Sequence, residues 1–388
     1  MSRRSELKKE ILRHLLIFGK ATRPELVGLT GGRAATLFEA IDELKAEGVI
    51  EEPERRGKKT GRRAPELCCT ADFCHIIGVE LRVSGCCGVI SDANGKILHK
   101  YELASHVPRR TLSESRREIL ALLQKLRDMA GDDWEKIRGI GFADPGLVDP
   151  SGSHSIKAVN VPGWENLATG DWLRKASGLP SGVWPEAMVK TRMEYLSRLK
   201  EKPESLFHLG TDDGIGGGFI KNGELFTGST GRGMEIGHVV IRPDGPRCQC
   251  GNNGCLEAVA SIPAIARKVS EARSGGVDIP MSSNGFSIKE FCNCVQHCKG
   301  ARIIADELCR DIGSALAVTV ALLNPEMIVI SGALTGLGEL LLDAVRRELE
   351  LKCFPEAVKS LKIHLSTLGR FDTARGAAIL MRDRLLLQ

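Results

Sequence analysis

The chain has 388 residues, 42% hydrophobic and 27% charged, which suits two or three domains of roughly 150 residues and excludes a disordered or collagen-like polymer. Its formal net charge of +5 is concentrated at one end: residues 1–65 hold 15 Lys and Arg against 10 Asp and Glu, leaving the rest balanced. No apolar run reaches the roughly 18 residues needed to cross a bilayer, no secretory leader is visible, and 13 cysteines, an odd count, argue for reduced thiols in a cytoplasmic protein.

Leu7, Ile11, Leu12, Leu15 and Leu16 recur at helical spacing and stop at Gly19. Thr22 reads as an N-cap, with Pro24 and Glu25 in the first turn of a helix ending near Leu29. After Thr30-Gly31-Gly32, a third helix points Leu37, Ile41 and Leu44 inward and offers Arg33, Thr36, Glu39 and Ala40 on its other face. Two helices joined by a short glycine-containing turn form a helix-turn-helix, whose second helix enters the DNA major groove. A strand at Val49-Ile50-Glu51, the basic loop 55–63 and a strand at 66–70 complete a winged form. Residues 1–70 are therefore expected to bind DNA. The candidate contacts are Arg33 and Thr36 on the helix and Lys58, Lys59, Arg62 and Arg63 in the wing. A head that docks to protein is the competing reading.

From His75 onward the pattern becomes period-two and apolar. Strands are expected at 75–81, 85–91 and 96–103, then a helix at 112–130 and a strand at 137–143. A second series follows, with strands at 205–209 and 216–221 and an Asn222-Gly223 hairpin turn. A long helix at 301–323 and a strand at 327–330 close it. Strand meanders followed by crossover helices, occurring twice, predict an α/β body of two lobes with a cleft over residues 71–388.

Within that body, His238, Cys248, Cys250 and Cys255 fall within 18 positions, matching a closed tetrahedral Cys3His site for structural zinc. Glu235 and Glu257 flank the loop. A metal-bound imidazole can direct its second ring nitrogen at an acceptor, so Glu235, His238 and Glu257 form a candidate site for sugar hydroxyls. Both glutamates acting as loop caps is an equal alternative. The run Cys292-Asn293-Cys294-Val295-Gln296-His297-Cys298 sits in a helical pattern, where its thiols read as packing.

The cysteine loop, the upstream Glu-Ile-Gly-His and Gly-Cys-Leu-Glu together resemble the ROK family of repressors, open reading frames and sugar kinases. The loop 159–164 (Val-Asn-Val-Pro-Gly-Trp), the glycine run 214–218 and the segment 324–332 add to the likeness, which covers about residues 75–385. The winged head resembles that of the family's repressor branch. This resemblance implies an actin-like, hexokinase-like two-lobed ATPase fold, a homodimer or homotetramer, and a sugar or sugar-phosphate effector held by Glu235, His238, Glu257 and Asn160. Departures from the kinase pattern imply that catalysis is lost. Bulky Leu81 and Arg82 stand in the first phosphate turn, 80–85, and Asp212-Asp213 place negative charge at the second. Trp184-Pro185-Glu186 replaces Glu-Asn-Asp, so Glu186 is a vestigial base one methylene too long. The expectation is a sugar-responsive DNA-binding repressor and not an enzyme. A sugar kinase carrying a DNA-binding head is the runner-up, and a scaffold the third reading.

Overall fold

The computed structural model describes residues 3–31, 33–53, 64–105, 110–158, 161–201, 203–282 and 285–387. The chain divides into two compact units: residues 1–189 with 370–388, and residues 190–369.

The first unit begins with three helices, α1 (Arg3–Phe18), α2 (Arg23–Thr30) and α3 (Ala34–Ala46), and three short strands, β1 (Ala21–Thr22), β2 (Ile50–Glu51) and β3 (Glu66–Cys69), paired in the order β1-β3-β2. Helix α2 starts where the sequence places it. The Thr22 hydroxyl accepts the Glu25 amide while Glu25 returns a carboxylate to the Thr22 amide, satisfying two end donors reciprocally. Ile11, Leu15, Leu26, Leu37, Ile41, Leu44, Ile50 and Leu67 form the core of this head. Ala40 belongs to that core and not, as its spacing suggested, to the outer face of α3.

The rest of the first unit is built on a five-stranded sheet. Strands β4 (His75–Arg82), β5 (Gly85–Ser91) and β6 (Ile97–Ala104) form an antiparallel meander. Helix α4 (Leu112–Ala130) crosses to β7 (Ile137–Asp144), which lies parallel to β4. A small ribbon follows, made of β8 (Leu147–Val148), β9 (Ser155–Lys157) and β10 (Glu165–Leu167). Helix α5 (Thr169–Ser177) then leads to β11 (Ser181–Pro185), parallel to β7, and into α6 (Glu186–Ser197). The sheet order is β11-β7-β4-β5-β6.

The second unit repeats the scheme. Strands β12 (Ser205–Thr211), β13 (Ile215–Lys221) and β14 (Glu224–Phe226) form the meander. Helices α7 (Leu256–Ala260), α8 (Ile262–Ser274), α9 (Ile288–Cys294) and α10 (Lys299–Leu323) precede β15 (Met327–Gly332), which is parallel to β12. Helices α11 (Glu339–Lys352) and α12 (Pro355–Val358) lead to β16 (Lys362–Leu365), giving the order β14-β13-β12-β15-β16. The 25-residue α10 is the spine of the main core, burying Ile304, Leu308, Ile312, Leu316 and Val320.

The chain then returns to the first unit as α13 (Asp372–Leu387), which packs on β4 and β7. Gly78 and Gly141 make that approach possible: a Cβ at either would stand 1.8 or 1.9 Å from the carbonyl oxygen of Ala374 or Ala377. The far end of α13 meets the head. Leu386 and Leu387 pack on its core, and buried Arg382 donates to the carbonyls of Ala93 and Leu16.

Candidate functional site

The cysteine loop of the second unit is a folded ribbon. Val240 bridges Cys255, Arg247 bridges Asn253, and the Cys248 amide donates to the Asn252 carbonyl at 2.7 Å. Gly254 is required at the crossing, because its φ is +67° and a Cβ there would lie 1.4 Å from the Arg242 oxygen. The ribbon brings His238, Cys248, Cys250 and Cys255 together, with all four donor atoms within 4.8 Å of one another. His238 Nδ1 is 3.7 Å from Cys248 Sγ, and Cys250 Sγ is 3.6 Å from Cys255 Sγ. Sulfur donors on a tetrahedral ion with bonds of about 2.3 Å stand about 3.8 Å apart. The set therefore fits a thiolate-bound divalent metal, and it is the one such cluster among the described residues.

Two sets of contacts fix the ribbon to the unit. Arg242 binds Asp311 through Nε at 2.9 Å and also pairs with Glu307, both on α10, while Lys268 of α8 approaches Glu307 at 3.3 Å. At the other side, the Glu257 carboxylate accepts the Ile215 amide at 2.9 Å. Glu257 thus clamps the start of β13, which fits the loop-cap reading for one of its oxygens. Glu235, exposed at the surface, has its pKa raised by the protein packed around its carboxylate, with His238 opposing and Glu257 reinforcing the shift. Glu235 therefore feels the charge of the two other groups expected to face a sugar. Asn160 lies outside the described residues.

The turn at 80–85 is a tight β4–β5 connection flanked by two arginines. Leu81 is buried in β4, so the turn itself is Val83-Ser84. Arg82 pairs with Glu80 at 2.5 Å, reaches Glu102 and donates to the Arg370 carbonyl. Arg110, only 3% exposed, donates to the carbonyls of Arg82 and Val83 and pairs with Glu118. Arg110 thus satisfies the carbonyl side of the turn. At the second glycine turn, Asp212 accepts Lys190 Nζ and the Ala333 amide, both at 3.0 Å. Burial opposes its ionisation, but Lys190 and these hydrogen bonds hold its pKa below the ordinary value. The carboxylate occupies donors of the kind that bind a phosphate oxygen. Glu186 is half-buried at the start of α6, immediately after β11.

In the head, Arg33 and Thr36 are exposed at the start of α3, as a DNA-contacting face requires. Lys58, Lys59, Arg62 and Arg63 lie outside the described residues.

A family model described as the ROK family matches residues 76–384. The chain belongs to the ROK family. It is 30% identical over 319 residues to a glucokinase of Thermotoga maritima, covering 80% of this chain and 98% of that one. It is 26% identical over 382 residues to the DNA-binding transcriptional dual regulator NagC of Escherichia coli K12, covering 96% and 92%. A solved ROK family transcriptional regulator, described as a homolog of the E. coli MLC protein, superposes with a TM-score of 0.84 at 23% identity, covering 99% and 98%. The fold is the actin-like, hexokinase-like two-lobed fold, preceded by the three-helix, three-strand head.

Sequence reasoning missed Arg110, Arg242 and Asp144. Asp144 ends β7 fully buried, accepting Trp164 Nε1 at 2.8 Å, the Gly146 amide at 2.9 Å and the Ser155 hydroxyl. Burial pushes its pKa up to about 6. An acid closing the apolar run Ile140-Gly141-Phe142-Ala143 was the available signal.

Proposed function

We propose that this chain is a DNA-binding transcriptional regulator, a repressor, whose operator affinity responds to a sugar or sugar phosphate. Residues 1–70 form the DNA-binding domain and residues 71–388 the sugar-binding body, with the loop 235–257 at its effector site. The observation that carries the reading is the three-helix head, with Arg33 and Thr36 exposed at the start of α3, joined to a ROK body. Likeness to NagC over nearly the whole chain, head included, supports it. Two heads in a homodimer or homotetramer would read a two-fold operator, with Lys58, Lys59, Arg62 and Arg63 on phosphates.

Zinc fits His238, Cys248, Cys250 and Cys255 and would supply a structural cross-link at the loop. Glu235, His238, Glu257 and Asn160 would receive the sugar hydroxyls, with Glu257 also tied to the Ile215 amide. To release DNA, the effector must bind the released state more tightly than the DNA-bound one. The test combines operator binding with thermal shifts across hexoses, amino sugars, pentoses and their phosphates. One sugar that stabilises the protein and changes operator affinity is expected; binding to no DNA sequence at low salt would defeat the proposal.

A second reading, a sugar kinase with an attached head, is favoured by the 30% identity to a glucokinase and by the carboxylate kept at Glu186. It requires sugar-dependent ADP release that disappears in Glu186→Gln.

A further inference from the structure

We propose that Cys294 and Cys298 are a reversible oxidation site, closed by a peroxide into an intrachain disulfide across the turn between α9 and α10. The continuous helical pattern of this segment breaks there. Helix α9 ends at Cys294, and the amides of His297 and Cys298 both donate to the Cys294 carbonyl at 2.9 Å. One closed turn of four residues separates their Cα atoms by roughly 6 Å, inside the range of about 4.4–6.8 Å that a disulfide spans.

The two side chains are near enough for the Cys298 thiol to reinforce burial in raising the Cys294 pKa. Cys298 is the N-cap of α10: its Sγ accepts the Ala301 amide at 3.5 Å and donates to the Asp278 carbonyl at 3.2 Å. Both residues are partly open to solvent, whereas neighbouring Cys292 and Cys309 are buried. Cys298 is assigned as the attacking sulfur because the Ala301 amide, at the N-terminus of α10, already donates to it.

In the first step the Cys298 thiolate attacks hydrogen peroxide. An S–O bond forms, the O–O bond breaks, and the departing hydroxide takes a proton to become water. The Cys294 thiolate then attacks the sulfenic sulfur, forming the S–S bond and expelling the second oxygen as water. The two thiols lose two electrons and the peroxide gains them; an external dithiol reverses the change. The bond would fix the N-terminus of the helix whose Glu307 and Asp311 hold Arg242 of the cysteine loop.

The experiment treats the full-length, zinc-loaded protein with hydrogen peroxide, alkylates the remaining thiols and maps the peptide 290–299. The expected result is a loss of two hydrogens, with alkylation of Cys294 and Cys298 falling to background and returning after dithiothreitol. Cys292→Ala keeps this signature, and Cys294→Ser and Cys298→Ser each abolish it. A bond that involves Cys292 would overturn the proposal. So would full alkylation of both thiols under peroxide sufficient to oxidise Cys68, another partly exposed thiol.

Discussion

Single side chains decide two properties that composition leaves open. Burial raises Cys248 and pushes Cys255 up to about 12, while the Asn252 amide lowers Cys250, so the thiols differ until a cation deprotonates them together. Cys255→Ser should therefore abolish zinc binding and lower the melting temperature, and chelation should reproduce the loss; metal analysis with scanning calorimetry checks both. Asp144 gives a pH prediction. Its folded pKa, about 6, lies above its ordinary value of 3.8, so its contribution to stability is full below pH 3.8 and is lost as pH rises through 6. The penalty at neutral pH is about 3 kcal/mol. Asp144→Asn keeps an acceptor for Trp164 and carries no charge. The variant should gain on the wild type by about 2–3 kcal/mol between pH 4.5 and 7.5. Urea unfolding followed by tryptophan fluorescence measures the gap, and a gap independent of pH would refute this account.

At the scale of elements, capping and periodicity were legible. Thr22, Pro24 and Glu25 announce α2, and the capping box costs about 1 kcal/mol to remove, so Thr22→Ala should lower the stability of the head by that amount in chemical denaturation. The repeated meanders could be read because each strand alternates or runs apolar within turn signals. Ala40 could not, because a small side chain is compatible with either face until the neighbouring helices are placed. The break after Cys294 was hidden for a related reason: Cys298 caps through sulfur, a weak acceptor outside the usual N-cap residues. The cysteine loop was legible from spacing alone, whereas Arg110 reaches a turn 27 residues away and only the fold reveals it. The wing carries its own prediction. Arg62→Ala with Arg63→Ala should weaken operator binding and make its dependence on salt shallower by about 2 in logarithmic slope; a titration at several salt concentrations reads it.

For the whole molecule, the decisive link is α13, which joins the head to the sheet of the first unit. Arg382 is 3% exposed and bonded to the Ala93 and Leu16 carbonyls, so Arg382→Met leaves two buried acceptors short of a donor. The expected cost is about 2–3 kcal/mol, with hydrogen exchange accelerating in α1. The same helix imposes an order on biosynthesis. The second unit is one uninterrupted stretch, 190–369, inserted into the first. A ribosome releasing the chain from its N-terminus supplies everything the second unit needs before residues 370–388 exist. Until then the glycine-lined face at Gly78 and Gly141 has nothing to cover it. The unit that starts first is completed last, so a released chain ending at residue 369 should carry a protease-resistant second unit beside an unfinished first.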